Sequence, residues 1–283
     1  MIIAQYFNIF IVFSFAGWIY ECIFCTFKDK HWENRGFLFG PICPIYGSAV
    51  TLAMIFFGSG LISGGYRGPV WKTFLICALL SAFIEYFTSY VMERIFHAVW
   101  WDYSDVPLNI NGRICIPATC GFGLVGVFIV RYILPFIISL ELDRHMLLNE
   151  LIAMIFMLML GIDIAVTVAS LTDMLTRIEM MQENFDKRMQ SGYELASTGP
   201  SVLVSAAKHG AMTAKQNALT AKKEISEGIT EYMSNMSRKD RHHMRSIRAF
   251  KTKNSDGVTS HIAATLKEMY DKYRSTATED DTQ

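Results

Sequence analysis

Two glutamates occupy positions that are costly for a carboxylate. Glu21 closes the run Phe15-Ala16-Gly17-Trp18-Ile19-Tyr20-Glu21, and Glu85 closes Leu79-Leu80-Ser81-Ala82-Phe83-Ile84-Glu85. Each stands in the later half of a long apolar stretch, about 9 to 10 Å inside its end at a helical rise of about 1.5 Å per residue. At that depth in a bilayer a carboxylate costs at least about 2.5 kcal/mol, so it must face a bundle interior, pair with a cation or carry a proton. An arginine follows each acid, in Asn34-Arg35-Gly36 and in Asn111-Gly112-Arg113. Since a guanidinium can hold a carboxylate through two parallel hydrogen bonds, Arg35 and Arg113 are the expected partners. Two readings stand. Glu21, Glu85, Arg35 and Arg113 line a polar chamber open to the cytoplasm, or they form internal ion locks that fix helix packing.

Other residue types add to this set. Asn34, Gly36, Asn111 and Gly112 suit loops with left-handed backbone. The stretch Trp100-Trp101-Asp102-Tyr103-Ser104-Asp105 combines interfacial aromatics with two carboxylates. Trp101 and Tyr103 read as membrane-interface anchors, with Asp102 as an alternative substrate or cation contact beside the chamber. Asp163 is a third acid within an apolar stretch, and Arg131 is a candidate to pair with it. Cys22-x-x-Cys25 has the spacing of a redox pair, but cysteine also serves as a small apolar residue. These groups lack the ligand spacing of a metal site, and neither a metal nor a cofactor is expected.

The elements that must position these residues are membrane helices. Residues 1–175 hold 9 Lys/Arg and 12 Asp/Glu, against 17 and 14 in residues 176–283. Crossing a hydrocarbon core of about 30 Å takes roughly 20 apolar residues in a helix. Five stretches qualify, near residues 6–27, 42–63, 73–92, 114–140 and 151–171, and the fourth is interrupted by Arg131 and Pro135. The first has no basic leader or small-residue cleavage pattern and is expected to be retained. With the basic tail inside the cell, five spans put the N-terminus outside. The expected protein is all-α and polytopic, with a transmembrane domain over 1–175 and a helical cytoplasmic tail over 176–283.

The two glutamate segments also define an internal repeat. Helix pair 1–2 runs through Glu21 and Asn34-Arg35-Gly36 to Pro41-Ile42-Cys43-Pro44-Ile45-Tyr46-Gly47. Helix pair 3–4 runs through Glu85 and Asn111-Gly112-Arg113 to Pro117-Ala118-Thr119-Cys120-Gly121-Phe122-Gly123. Each unit is a helix with an acid, a polar loop, and a second helix opening on proline and an aromatic-glycine pair. Pro41, Pro44 and Pro117 suit a first helical turn, where the missing amide proton has no partner to lose. An even number of crossings between the units makes them parallel, about an axis along the membrane normal.

At these residues the chain resembles the putative ABC-transporter type IV, or CmpB-like, membrane proteins. The resemblance rests on Gly17-Trp18-Ile19-Tyr20-Glu21, Asn34-Arg35-Gly36-Phe37-Leu38-Phe39-Gly40-Pro41, Pro44-Ile45-Tyr46-Gly47, Trp101-Asp102-Tyr103-Ser104 and Asn109-Ile110-Asn111-Gly112-Arg113. It implies a permease-like component of a transport system in the cell membrane, of unassigned substrate. No Gly-x-x-x-x-Gly-Lys-[Ser/Thr] run occurs, so nucleotide would be bound by a separate ATP-binding subunit. A homo-oligomer or partner subunit is expected to complete a pathway built on so few spans. The alternatives are an intramembrane enzyme on a lipid-linked substrate, with a glutamate as general base, and a membrane scaffold whose tail recruits partners.

In the tail, helical patterns run near 177–195 and 202–236, separated by Ser197-Thr198-Gly199-Pro200-Ser201. Residues 238–253 hold seven Lys/Arg against one Asp, which predicts attraction to anionic lipid headgroups. Nucleic-acid binding has no accompanying motif. The acidic end, Glu279 to Gln283, reads as disordered.

Overall fold

The computed structural model describes residues 2–29, 36–59, 61–62, 64–139, 146–197, 220, 223, 226–250 and 261–280. They form two compact units, residues 1–169 with 245–248, and residues 170–244 with 249–283.

The first unit is helical. It contains α1 (Ile2–Asp29), α2 (Pro44–Ala53), α3 (Val70–Phe96), α4 (Ile116–Phe128), α5 (Leu134–Ser139) and the start of α6 (Met146–Ser197). Among the described residues four helices are long and apolar enough to cross a membrane: Ile3–Phe27, Val70–Phe96, Ile116–Ser139 and Met146–Met181. The second predicted span is shorter than expected. Its helix is Pro44–Gly58, about 22 Å long at about 1.5 Å per residue, against a core of about 30 Å. Residues 37–43 ahead of it are irregular, so Pro44 stands in the first turn while Pro41 does not. The interruption expected from Arg131 and Pro135 takes the form of a π turn, Ile129–Ile133, which leads into α5 without ending the apolar helix. The Arg131 guanidinium donates to the Gly68 carbonyl rather than to Asp163.

α1 packs chiefly on α2 and α3 on α4, and glycine sets both contacts. A Cβ on Gly47 would strike Ser14 and Phe10 of α1, and one on Gly123 would strike Phe74 and Ala78 of α3. Phe10 and Ser14 precede Glu21 by the same intervals at which Phe74 and Ala78 precede Glu85. α3 divides its surface by helical spacing. Leu75, Leu79, Phe83 and Phe87 are exposed on one face, as a lipid-facing stripe requires, whereas Ser81, Glu85, Thr88 and Met92 face a chamber. The helix stops at His97, whose left-handed backbone (φ 51°) lets its amide reach the Glu93 carbonyl at 3.0 Å.

The second unit is a packed helical body. Leu171, Met174, Ile178, Ile229, Met244 and Leu266 are buried in it. Its helix Arg238–Ser246, whose last two residues belong to the first unit, opens on a capping box. Ser237 Oγ accepts the Asp240 amide at 3.1 Å, and the Asp240 carboxylate accepts the Ser237 amide at 3.2 Å. Arg177 meets Asp240 at 2.7 Å, and Lys267 donates to the Met244 carbonyl at 2.8 Å and to Asp271 at 2.7 Å. The break expected at 197–201 beyond Ser197, the first part of the helix expected over 202–236 as far as residue 219, and residues 281–283 lie outside the described residues.

Candidate functional site

Glu21 and Glu85 line one chamber of about 390 Å³ in the first unit. Its wall also takes in Phe37, Tyr46, Trp100, Trp101, Tyr103 and Phe122, with Ser246. Each carboxylate is held by a tyrosine, from a different kind of element. Tyr46 of α2 donates its hydroxyl to Glu21 Oε1, and it reaches that atom because Gly17, one helical turn before Glu21, leaves room for its ring. Tyr103, in the loop after α3, donates to Glu85 Oε1 at 2.8 Å. Burial, and then the charge of Glu85, pushes the Tyr103 phenol well above its ordinary range, so it remains a donor.

Glu85 is the more enclosed acid, only 6% exposed, and its Oε2 is buried without a hydrogen-bond partner. Trp100 Nε1 on the same wall is also buried and unpaired. The Trp100 ring packs edge-on against Phe37 and Phe96, with centroids 5.5 and 5.9 Å away. Cys25 Sγ lies 3.9 Å from Glu21 Oε2, and Cys22 and Cys25 are buried and not joined in a disulfide.

The loop that carries Tyr103 is held by a small hairpin. Asn109 pairs with Cys115 and Ile110 with Ile114 around a turn in which Asn111 (φ 54°) and Gly112 (φ 68°) are both left-handed. Gly112 is needed twice, since a Cβ there would also lie 2.5 Å from Asp102 Oδ1 and Ser104 Oγ. Trp101 Nε1 donates to the Arg113 carbonyl at 3.0 Å, and the Tyr103 amide to the Gly112 carbonyl at 2.8 Å. The hairpin thereby fixes the height at which the Tyr103 ring enters the chamber.

The expected pairing of Arg113 with Glu85 is not the one formed. Arg113 Nη2 lies 2.8 Å from Glu93, and its guanidinium stacks 5.3 and 5.4 Å from the ring centroids of Tyr86 and Tyr90. Asn111 Nδ2 donates to the Tyr86 hydroxyl at 3.1 Å, so turn and arginine grip one face of α3 that is not the chamber face. Asp102 accepts from Ser104 N and Oγ, at 2.9 and 2.5 Å, and so closes its own turn. Asn34 and Arg35 lie outside the described residues.

Asp163 serves the backbone. Its Oδ2 accepts the Gly40 amide at 3.0 Å, and Thr167 Oγ1, 3.4 Å from Asp163 Oδ1, accepts the Phe39 amide at 3.3 Å. Residues 37–43 are not helical, and amides at membrane depth need a protein partner when they lack a helical one.

Most of the wall escaped the sequence reading as site residues, Tyr46 and Trp100 among them. Tyr46 lay inside a recognised motif, but nothing local ties a tyrosine to an acid on the preceding helix. Trp100 was indistinguishable from an interfacial anchor. Residues 8–168 match the model of a family described as putative ABC-transporter type IV. Neither a curated protein nor a solved structure matches the chain.

Proposed function

The chain belongs to the putative ABC-transporter type IV family, and from that premise we propose that it is a permease-like component of a transport system whose substrate route includes the Glu21/Glu85 chamber. The observation that carries this reading is a cavity of about 390 Å³ lined by two carboxylates, one of which, Glu85, keeps a buried oxygen without a hydrogen-bond partner. A buried acceptor left without a donor costs about 1–3 kcal/mol, a cost that a route for a passing substrate explains and a purely structural acid does not. The two helix pairs are copies of one unit in this reading. Its support is the equal placing of Phe10 and Ser14 under Gly47 and of Phe74 and Ala78 under Gly123.

In the cell membrane the tail lies inside, where a separate ATP-binding subunit supplies hydrolysis, and the N-terminus lies outside with the short helix Pro44–Gly58 taken as a fifth crossing. The exposed Arg238, Lys239, Arg241, Arg245 and Arg248 face anionic headgroups. A lipid-acting enzyme has one fewer candidate to hold an anion, because among the described residues Arg113 is committed to Glu93 and two tyrosine rings. The test is flux in cells carrying Glu21→Gln or Glu85→Gln, with membrane insertion checked. Loss of flux is expected, and unchanged flux in both variants refutes the proposal. Purification of the intact protein in mild detergent should also recover an ATP-binding subunit.

A further inference from the structure

We infer that the chamber binds a protonated primary or secondary amine carried on a small apolar body, an inference that deepens the transport reading and rests on it. Four observations converge. Two carboxylates, Glu21 and Glu85, line the chamber, and among the described residues no Lys or Arg does. Glu85, 6% exposed, lines it with a carboxylate one of whose oxygens is buried and receives no hydrogen bond. The remaining wall is largely apolar, with the rings of Phe37, Trp100, Trp101 and Tyr103. A volume of about 390 Å³ suits a small ligand.

Aromatic faces attract any organic cation. An unfilled carboxylate acceptor asks for more, namely a cation that still carries N–H. That selects an ammonium with protons over a quaternary ammonium, and excludes an anion. Tyr46 and Tyr103 already occupy one oxygen of each carboxylate and the Cys25 thiol lies by the other oxygen of Glu21, so the acceptor left unfilled belongs to Glu85.

The test uses the full chain in detergent, titrated with hexylamine, hexanol, hexanoate and hexyltrimethylammonium, read by calorimetry and tryptophan fluorescence. Hexylamine should bind at least about tenfold tighter than hexanol, the ratio expected of a charge-assisted hydrogen bond, and tighter than the quaternary analogue. Glu85→Gln should remove that advantage, weakening hexylamine binding by a larger factor than hexanol binding. Equal binding of amine and alcohol, tighter binding of hexanoate, or an unaltered amine preference in Glu85→Gln overturns the inference. Should that variant fail to fold, the wild-type series decides alone. An ammonium can also arrive on a lipid, so the titration is repeated in nanodiscs. Weaker hexylamine binding with phosphatidylethanolamine than with phosphatidylglycerol assigns the group to a headgroup, and equal binding assigns it to a free amine. Amine binding without amine flux removes the transport reading and keeps the site. Glutamate-dependent flux without amine binding does the reverse.

Discussion

Arg113 offers the sharpest test of the loop architecture, because sequence and structure give it different partners. The perturbation is a double-mutant cycle, Arg113→Gln with Glu93→Gln, repeated with Glu85→Gln in place of the second change. The Arg113 and Glu93 side chains are 15% and 19% exposed and 2.8 Å apart. Exposed pairs contribute about 0.2–1 kcal/mol, and breaking a fully buried one costs about 3–5 kcal/mol. This pair falls between, so a coupling of about 1–2 kcal/mol is expected. The two aromatic contacts of the guanidinium add about 0.5–1 kcal/mol each to the single Arg113 variant without entering the coupling to Glu93. Arg113→Gln alone should therefore destabilise by about 2–4 kcal/mol. Coupling to Glu85 should be near zero, since groups without shared partners act additively. The assay is unfolding of the purified protein in mixed micelles, followed by tryptophan fluorescence. If Glu93→Gln costs as much in the Arg113→Gln background as in the wild type, the lock does not exist. If coupling appears with Glu85 instead, the pairing inferred from spacing is the true one.

Three further expectations follow from particular contacts. Gly123→Ala places a Cβ 2.8 Å from the Phe74 ring and 3.0 Å from Ala78, so it should destabilise by about 1–3 kcal/mol, whereas Gly121→Ala, with nothing within 4 Å, should not; micellar unfolding distinguishes them. Asp163→Ala strands the Gly40 amide and should cost about 1–3 kcal/mol in the same assay, with Asp163→Asn recovering part of it through its remaining carbonyl oxygen. In the second unit, burial and then the neighbouring His242 push the His243 imidazole down to about 4 from an ordinary 6.5. The folded state then binds its proton less readily than the unfolded chain. Stability is full above about pH 6.5 and falls as pH drops towards 4, by at most about 3 kcal/mol. Calorimetry between pH 7.5 and 4.5 should show the loss, and His243→Leu should flatten it.

Much of the site was legible because membrane burial makes acids conspicuous. Glu21 and Glu85 were found from their place in apolar runs, and Trp101 and Tyr103 from a loop that resembles a known family; all four line the chamber. The arginine partner was not legible. Arg113 could reach the end of α3 at several positions, and choosing between Glu85 and Glu93 required knowing which face of the helix the hairpin grips. Those two acids differ by about 80° around the axis and about 12 Å along it. Tyr86, Tyr90 and Glu93 do share one face, a signal that was present but lacked a partner to interpret it. The second span was overestimated for a related reason. Apolar content as far as residue 63 satisfies a hydropathy window, but the helix ends at Gly58, ahead of the left-handed Gly64 and Gly65, and before its start the amides of Phe39 and Gly40 are taken by side chains on another helix.

Those borrowed amides impose an order on assembly. A chain emerging from the ribosome delivers α1, residues 37–43 and α2 to the membrane long before it delivers Asp163 and Thr167. Until α6 arrives, the stretch ahead of α2 has two backbone protons with no acceptor from that helix, in an environment where water is scarce. The first helix pair therefore cannot reach its final form as it is inserted. It is finished from behind, by the last span to be made, and a chain truncated before Asp163 should be left partly open there and exposed to membrane proteases.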